Sequence, residues 1–285
     1  TWDPTVTPTN EHLLSVSYVD RSTAIAVGEG GTILRTTNGG DNWINQSIPI
    51  TSTATYMLTG VAFGDPSIGI IVGRVDSIET PPTGFMRAVI LRTSDGRKTW
   101  NRSVKAYNQG ILAVSFGDQS TAFAAGSGGL LLRSTTRGGT WNQISSPVGA
   151  VRFNGVFSSG ATIATVVGDN GVIIRTTDGG ASWSAQQSGT ANRLTGVWFV
   201  EPDVGLVIGE RGTMIRTENG GILWQSQKSG TANALRGIWF TVKDKGVVVG
   251  DYGTILRTGA DNVSAVECPG ASDGPGEFAL AQNYP

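Results

Sequence analysis

The chain contains one cysteine, Cys268, and one histidine, His12, in 285 residues. A single thiol excludes an internal disulfide, and one thiol with one imidazole provides no Cys/His cluster for zinc or another transition metal. No metal or other cofactor is therefore expected. His12 lies in the polar stretch PTNEH and reads as a solvated loop residue. Charge is also scarce, at 15 % Asp, Glu, Lys and Arg, where an average domain has about a quarter. With 21 basic and 22 acidic residues the formal charge is -1. No general field draws nucleic acid or an anionic membrane to such a surface, so neither is an expected partner. No apolar run is long enough for a transmembrane helix. Thr1 opens without a charged-then-apolar leader, so a signal peptide, if there was one, is expected to be already gone.

What the sequence has in excess is glycine, 41 residues or about twice the average share of roughly 7 %. That favours many turns over long helices, hence an all-β chain. The glycines fall in a repeated phrase: RTTNGGDNW (35–43), RTSDGRKTW (92–100), RSTTRGGTW (133–141), RTTDGGASW (175–183) and RTENGGILW (216–224), decaying to RTGADN at 257–262. Trp43, Trp100, Trp141, Trp183 and Trp224 are 57, 41, 42 and 41 residues apart. A period near 40 is the mark of propeller blades. Ahead of each phrase come three short runs rich in Val, Ile, Leu, Phe and Thr, bounded by glycine and acidic turn residues in the manner of strands. For the fifth unit the expected strands a to d are 194–199, 205–208, 213–217 and 224–227. Strands b and c are almost continuously apolar, so both of their faces should be covered, as they are when sheets stack around a ring.

The expected fold is a six-bladed β-propeller of four-stranded antiparallel blades over 1–262, with a linker or tail at 263–285. The sixth unit lacks a tryptophan after its strand c. Trp2 stands 11 residues before Leu13 and 14 before Val16, the offsets that separate Trp183 from Leu194 and Val197. TWDPTV is accordingly expected to be the outer strand of the last blade, sealing the ring so that no edge is left unpaired.

The repeated carboxylate or amide of Asp178, Asp95, Asn38 and Asn219 reads as a turn former, accepting backbone N–H groups two residues on. It recurs around the ring and is replaced by Thr136 and Ala260 without loss of the pattern, which is unlike a catalytic group. The arginines that end strand c, Arg35, Arg92, Arg133, Arg175, Arg216 and Arg257, should reach the level of the a–b turns, where Asp20, Asp65, Asp118 and Glu201 recur. Two readings stand: a structural ring of charge-assisted pairs, or a basic patch for an acidic partner.

Repetition breaks in the second blade, which carries 16 extra residues, 12 in its b–c connection and 4 in the preceding d–a connection. Both open on one rim. The expected result is a raised surface of Arg74, Val75, Asp76, Ser77, Ile78, Glu79, Phe85, Met86 and Arg87, flanked by Tyr56 and Met57. Its mixture of charge with aromatic and Met side chains suits partner recognition.

The phrase fits the S/T-x-D/N-x-G-x-S/T-W pattern of the Asp box, found in sialidases and in many propellers that are not sialidases. Over roughly 1–262 the repeats resemble the propellers related to the photosystem II stability and assembly factor. That resemblance implies a non-enzymatic, protein-binding platform and implicates the six repeat arginines in binding. The count here is six blades, where those photosynthetic proteins have seven. GEFALAQNYP, 276–285, looks like the start of the sorting domain read by the type IX secretion system of Bacteroidetes and related phyla. This resemblance implies export, with the protein released or held at the cell surface. Its partner would be a protein or another cell-surface macromolecule. A structural subunit of an extracellular polymer, self-assembling through 263–285, is the alternative. A sialidase-like glycosidase is the second alternative, weakened because the prominent arginines are symmetric equivalents and no tyrosine–glutamate pair stands out.

Overall fold

The computed structural model describes residues 5–47, 54–77, 86–96, 99–105, 107–242, 245–259 and 262–266. These form six four-stranded antiparallel sheets, each built in chain order a–b–c–d. The inner strands a are Leu13–Tyr18, Ala54–Phe63, Ile111–Phe116, Phe153–Ser158, Leu194–Phe199 and Leu235–Val242. In the fifth blade the other strands are Gly205–Gly209, Met214–Thr217 and Gln225–Ser226, within a residue or two of the sequence expectation. Strands b at Ala24–Gly28, Ala122–Gly126, Ala164–Gly168 and Gly205–Gly209 are buried at every position. Sheets stacked face to face explain why these runs are apolar on both sides.

One irregularity repeats in all six blades. The a–b pairing skips one residue near the start of strand a, leaving Leu14, Thr59, Leu112, Asn154, Thr195 and Arg236 as the extra residue of a bulge. A bulge re-aims the side chain it carries, and here it aims several of them at the next blade. The Thr59 hydroxyl donates to the Ile111 carbonyl at 2.7 Å, Asn154 Nδ2 to Leu194 at 2.9 Å and the Thr195 hydroxyl to Leu235 at 2.5 Å. At the first and third junctions serine oxygens serve instead, accepting from the Val61 and Ser158 amides.

The closure differs from the expectation. The fourth strand of the last blade is Asn262–Val266, which pairs with Ile255–Gly259 in register from Gly259↔Asn262 to Ile255↔Val266. Trp2 lies outside the described residues, and 5–12 contain no strand. Local geometry accounts for the correction. A strand two residues downstream closes a short hairpin at little entropic cost, whereas a strand from the far end of the chain must close a loop of some 250 residues. The propeller therefore runs through Val266, four residues beyond the boundary drawn from the sequence.

Among the described residues, the junction between the sixth and first blades is the least packed of the six. Phe63, Phe116 and Phe199 end their inner strands at 3 %, 9 % and 4 % exposure, whereas Tyr18, their counterpart in the first blade, is 43 % exposed. Glycines of the first Asp box, Gly39 and Gly40, face open space, while a β-carbon on Gly179 would lie 3.1 Å from the Arg133 guanidinium of the preceding blade.

The Asp boxes are hydrogen-bonded relays within the c–d turn. Asp178 Oδ1 accepts from the Thr176 hydroxyl at 2.8 Å and the Ser182 amide at 2.9 Å, and Oδ2 accepts from the Ser182 hydroxyl at 2.6 Å. Thr176 Oγ1 in turn accepts from the Gly180 amide at 2.9 Å. The acceptor reaches four residues on, not two as expected from an Asx turn. Asn38 and Asn219 do the same toward the Asn42 and Leu223 amides, and the Thr136 hydroxyl toward Thr140. The tryptophans that follow are wedged between blades. Trp183 stands edge-on to Phe123 of the preceding blade at 5.8 Å, and Trp224 Nε1 donates to Gln186 of the preceding blade at 3.1 Å.

The Ser182 hydroxyl and amide, with the Thr176 hydroxyl, hold the Asp178 carboxyl well below the usual carboxylate range. A depressed folded-state pKa contributes stability above the unfolded value of about 3.9 that is lost as pH falls toward the folded one. Asp178→Asn loses that charge-linked contribution and is expected to melt below the parent at pH 7, though above Asp178→Ala since asparagine serves two sister boxes, and to lose less stability between pH 4 and pH 2. Asp178→Ala should melt lower at pH 7. Thermal melts across that range check both.

Candidate binding site at the channel mouth

The six inner strands surround a cavity of about 270 Å³ on the ring axis. Its wall is layered because strand residues two apart share a face and lie about 6.6 Å apart along the strand. Deepest is a belt of branched aliphatic side chains, Val61, Val114, Val156, Val197 and Ile238, all at most 7 % exposed. They occupy one column of the repeat, the fourth position of LTGVAF, ILAVSF, FNGVFS, LTGVWF and LRGIWF (the first of these starting at Leu58). Above the belt stand the bulge residues Leu14, Thr59, Leu112, Asn154, Thr195 and Arg236. At the rim are Arg74, Arg152 and Arg193.

The rim guanidiniums are held by acids just outboard. Arg193 lies 3.2 Å from Asp169 and 3.6 Å from Glu210, Arg236 is bidentate on Asp251 at 2.8 and 2.9 Å, and Arg74 is 3.4 Å from Asp76. Asp169, Glu210 and Asp251 each follow the last glycine of a strand b; Arg74 takes that position in the second blade. Asn154 ties the tier together, with Oδ1 accepting from Arg152 at 3.1 Å and Arg193 at 3.2 Å and Nδ2 donating to Asp169 at 2.9 Å. Arg152 makes no ion pair among the described residues. Partial desolvation beside the cavity, then the nearby Arg193 and, more weakly, Arg74, lower its pKa against the opposing pull of Asp169. It stays protonated at any physiological pH.

The insertion in the second blade forms a wall beside this mouth. Its strands Ala54–Phe63, Gly69–Ser77 and Met86–Thr93 are longer than their counterparts and pair continuously from Gly69↔Thr93 to Asp76↔Met86. The expected raised surface is thus an extension of the sheet as far as it is described, with Ile78, Glu79 and Phe85 outside the described residues. Arg74 joins it to the cavity, Asp76 is its partner, and Arg87 is exposed. Met86 begins the third strand. Tyr56 departs from the expectation: it is 4 % exposed, packs in the core with Leu58 and Val75, and its hydroxyl accepts from Arg102.

The six repeat arginines lie at the opposite mouth, where strands a end. Contrary to the expectation, no ion pair among the described residues joins them to Asp65 or Asp118, although Arg175 is attracted by Asp203 of the next blade's a–b turn. Asp20, Asp65 and Asp118 cap their own turns, accepting from Ser22 and Thr23, Ser67 and Ile68, and Ser120 and Thr121. Burial pushes the Asp65 carboxyl up, but its hydrogen bonds from Ser67, Ile68 and Arg137 together hold it below its ordinary value. The arginines instead reach the neighbouring blade. Arg92 Nε donates to the Arg137 carbonyl at 2.8 Å. Arg175, 5 % exposed, donates to Thr165 at 2.7 Å and to the Pro202 carbonyl of the next blade at 2.5 Å, and lies 4.6 Å over the Phe199 ring. Arg216 pairs with Glu218 of its own box at 2.7 Å. Arg35 and Arg133 each bury an Nε, and Arg257 is exposed at the loose sixth junction. Arg175 is buried, Arg35, Arg92, Arg133 and Arg216 are half-buried, and Arg257 is exposed.

Sequence reasoning missed Arg152, Arg193 and Arg236. Their signal was present: in aligned repeats, Arg152 and Arg193 share the column just before strand a, and Arg236 lies two places later. The search for broken symmetry stopped at the long insertion and passed over single substitutions.

The family model for photosynthesis system II assembly factor YCF48 matches residues 75–197. Among curated proteins, the chloroplastic photosystem II stability/assembly factor HCF136 of Oryza sativa subsp. japonica is 28 % identical over 160 residues, 54 % of this chain and 35 % of the relative. The match therefore spans about a third of that relative's length. Among solved structures, YCF48 bound to D1 peptide superposes with a TM-score of 0.69 at 16 % identity, over 91 % of this chain and 82 % of that one. The GH74 enzyme of Niastella koreensis gives 0.68 at 14 %, over 91 % and 46 %, and a streptogramin B lyase 0.72 at 10 %, over 92 % and 84 %. At these identities the solved structures share the propeller fold, which enzymes and binding proteins use alike.

If the repeat arginines are framework, Arg175→Ala lowers the melting temperature markedly. Loss of a buried guanidinium's hydrogen bonds and ring contact costs about 2–4 kcal/mol. Arg257→Ala, at an exposed site, should shift it by less than a degree or so. Parallel calorimetric melts check the contrast.

Proposed function

We propose that this chain is a non-enzymatic propeller that binds a segment of a partner protein at the channel mouth walled by the second blade. The observation that carries the reading is the cavity lining itself. Among the described residues it offers guanidiniums, one amide, threonine hydroxyls, the Trp198 indole, the Met57 thioether and aliphatic surface, and no carboxylate, phenol or imidazole. Glycoside hydrolysis calls for a pair of carboxylates flanking the bond to be cleaved, and nucleophilic or acid–base chemistry calls for groups that titrate. Guanidiniums over an apolar floor are suited to holding an anionic, partly apolar segment. The similarity to assembly factors, one of them solved with a bound peptide, supports a protein as the partner. The resemblance of GEFALAQNYP to an export signal supports an extracytoplasmic setting, checked by fractionating the native source.

The binding surface can be tested before the partner is identified. Peptides selected against the immobilised chain from a library displayed with free carboxyl termini should lose at least tenfold in affinity with the double variant Arg74→Glu/Arg87→Glu, and be unaffected by Arg216→Glu at the opposite mouth. Loss with Arg216→Glu alone would move the binding surface to the other face and contradict the proposal.

A further inference from the structure

The cavity specifies more than an anionic partner, because its layers are ordered along the axis. By strand register Arg152 and Arg193 come first, the bulge residues (Arg236 among them) next and the aliphatic belt last, with Trp198 also in the lining. A ligand that fits must carry its charge at the outer end and an apolar group at the inner end. An aspartate or glutamate side chain entering tip-first does the reverse, setting its charge against Val156, Val197 and Ile238, where an unpaired carboxylate is costly. A chain-terminal residue with a long apolar side chain matches the order: its α-carboxylate stays at the rim while the side chain descends. Resting on the reading above, we propose that the mouth captures the carboxyl-terminal residue of an extended peptide, with that residue's apolar side chain in the cavity.

Arg152 is placed to receive the carboxylate. Its Nε is engaged by Asn154, and no ion pair claims the guanidinium among the described residues. Its three neighbours are each matched by an acid: Arg193 by Asp169 and Glu210, Arg236 by Asp251 and Arg74 by Asp76. The four acids balance the four arginines in number but stand outboard of the lining, and Arg152 is the one guanidinium of the four with no carboxylate in ion-pair contact among the described residues. A carboxylate accepts from a guanidinium through two parallel hydrogen bonds. The cavity of about 270 Å³ lies just below the 300–1,000 Å³ range of small-ligand sites, which suits one large aliphatic or aromatic side chain. The second-blade wall beside Arg74 gives the preceding residues of the peptide a surface to lie on. A free aliphatic carboxylic acid has the same polarity but no use for that wall.

The experiment compares three probes on the full chain by isothermal titration: a selected peptide of about six residues ending in leucine, the same peptide as its carboxyl-terminal amide, and hexanoate. The proposal expects the amide to bind at least tenfold more weakly than the free acid, with hexanoate weaker than the free acid by a similar factor. Arg152→Gln should erase the difference between acid and amide, and Arg152→Lys should restore part of it. Circular dichroism verifies that each variant is folded; Arg152 is exposed, so neither change removes core packing. Equal binding of acid and amide by the parent overturns the carboxylate assignment while leaving a peptide-binding mouth intact. Hexanoate binding as tightly as the peptide overturns the peptide and assigns a fatty-acid-like ligand. Peptides that bind but ignore both Arg152 and the Arg74/Arg87 pair overturn the mouth as the binding site altogether.

Discussion

Every blade depends on being covered by its neighbours. Strands b and c are apolar on both faces, and a single four-stranded sheet of that composition has nothing of its own with which to hide them. Stacking around an axis provides two covered faces for each sheet. The hydrogen bonds from bulge residues to the next inner strand, the arginines that cross to the next blade and the tryptophans wedged between blades all serve that one requirement. The Asp boxes serve it too. They fold each c–d turn so that the following tryptophan meets the preceding sheet.

A framework built this way leaves its axis free. The inner strands cannot converge to a point, and the residue left over at each bulge faces the space between them. Because only some junctions use that residue, with serine oxygens serving at two others, residues in that column vary: leucine, threonine, leucine, asparagine, threonine and arginine. The column below them, by contrast, is valine in four described cavity-lining positions and isoleucine in the fifth. Variation above and constancy below give a cavity with a uniform apolar floor and an individual polar rim. The extended second blade adds a wall on the same side. The proposed function thereby separates binding from folding: one mouth carries the repeat arginines, the other carries the charges that differ from blade to blade.

The fold was largely legible because its determinants are local and repeated. A forty-residue period, strand-like runs and Gly-bounded turns yielded six four-stranded blades and strand limits within a residue or two in the fifth blade. What was misread was non-local. The equal offsets of Trp2 and Trp183 suggested that the chain's start completes the last blade, but Asn262–Val266 pairs with Ile255–Gly259, and no periodicity reveals which of two candidate strands pairs first. The Asp-box acceptor reaches residue i+4, a detail set by turn geometry. Tyr56 looked like a recognition residue from its neighbours in sequence, yet the pleat buries it. Arg152, Arg193 and Arg236 converge only once the ring is closed around them, so their shared position on the rim was visible as a column while their proximity was not.

The central claim is that the framework arginines face one mouth and ligand enters the other. Methyl-resolved NMR during titration with a selected peptide tests it directly. The account predicts shifts in the methyl groups of Val61, Val114, Val156, Val197 and Ile238, the aliphatic belt, with Ile222 and Leu223 of the fifth Asp box unmoved. Shifts confined to Ile222, Leu223 and their surroundings, with the belt silent, would contradict it.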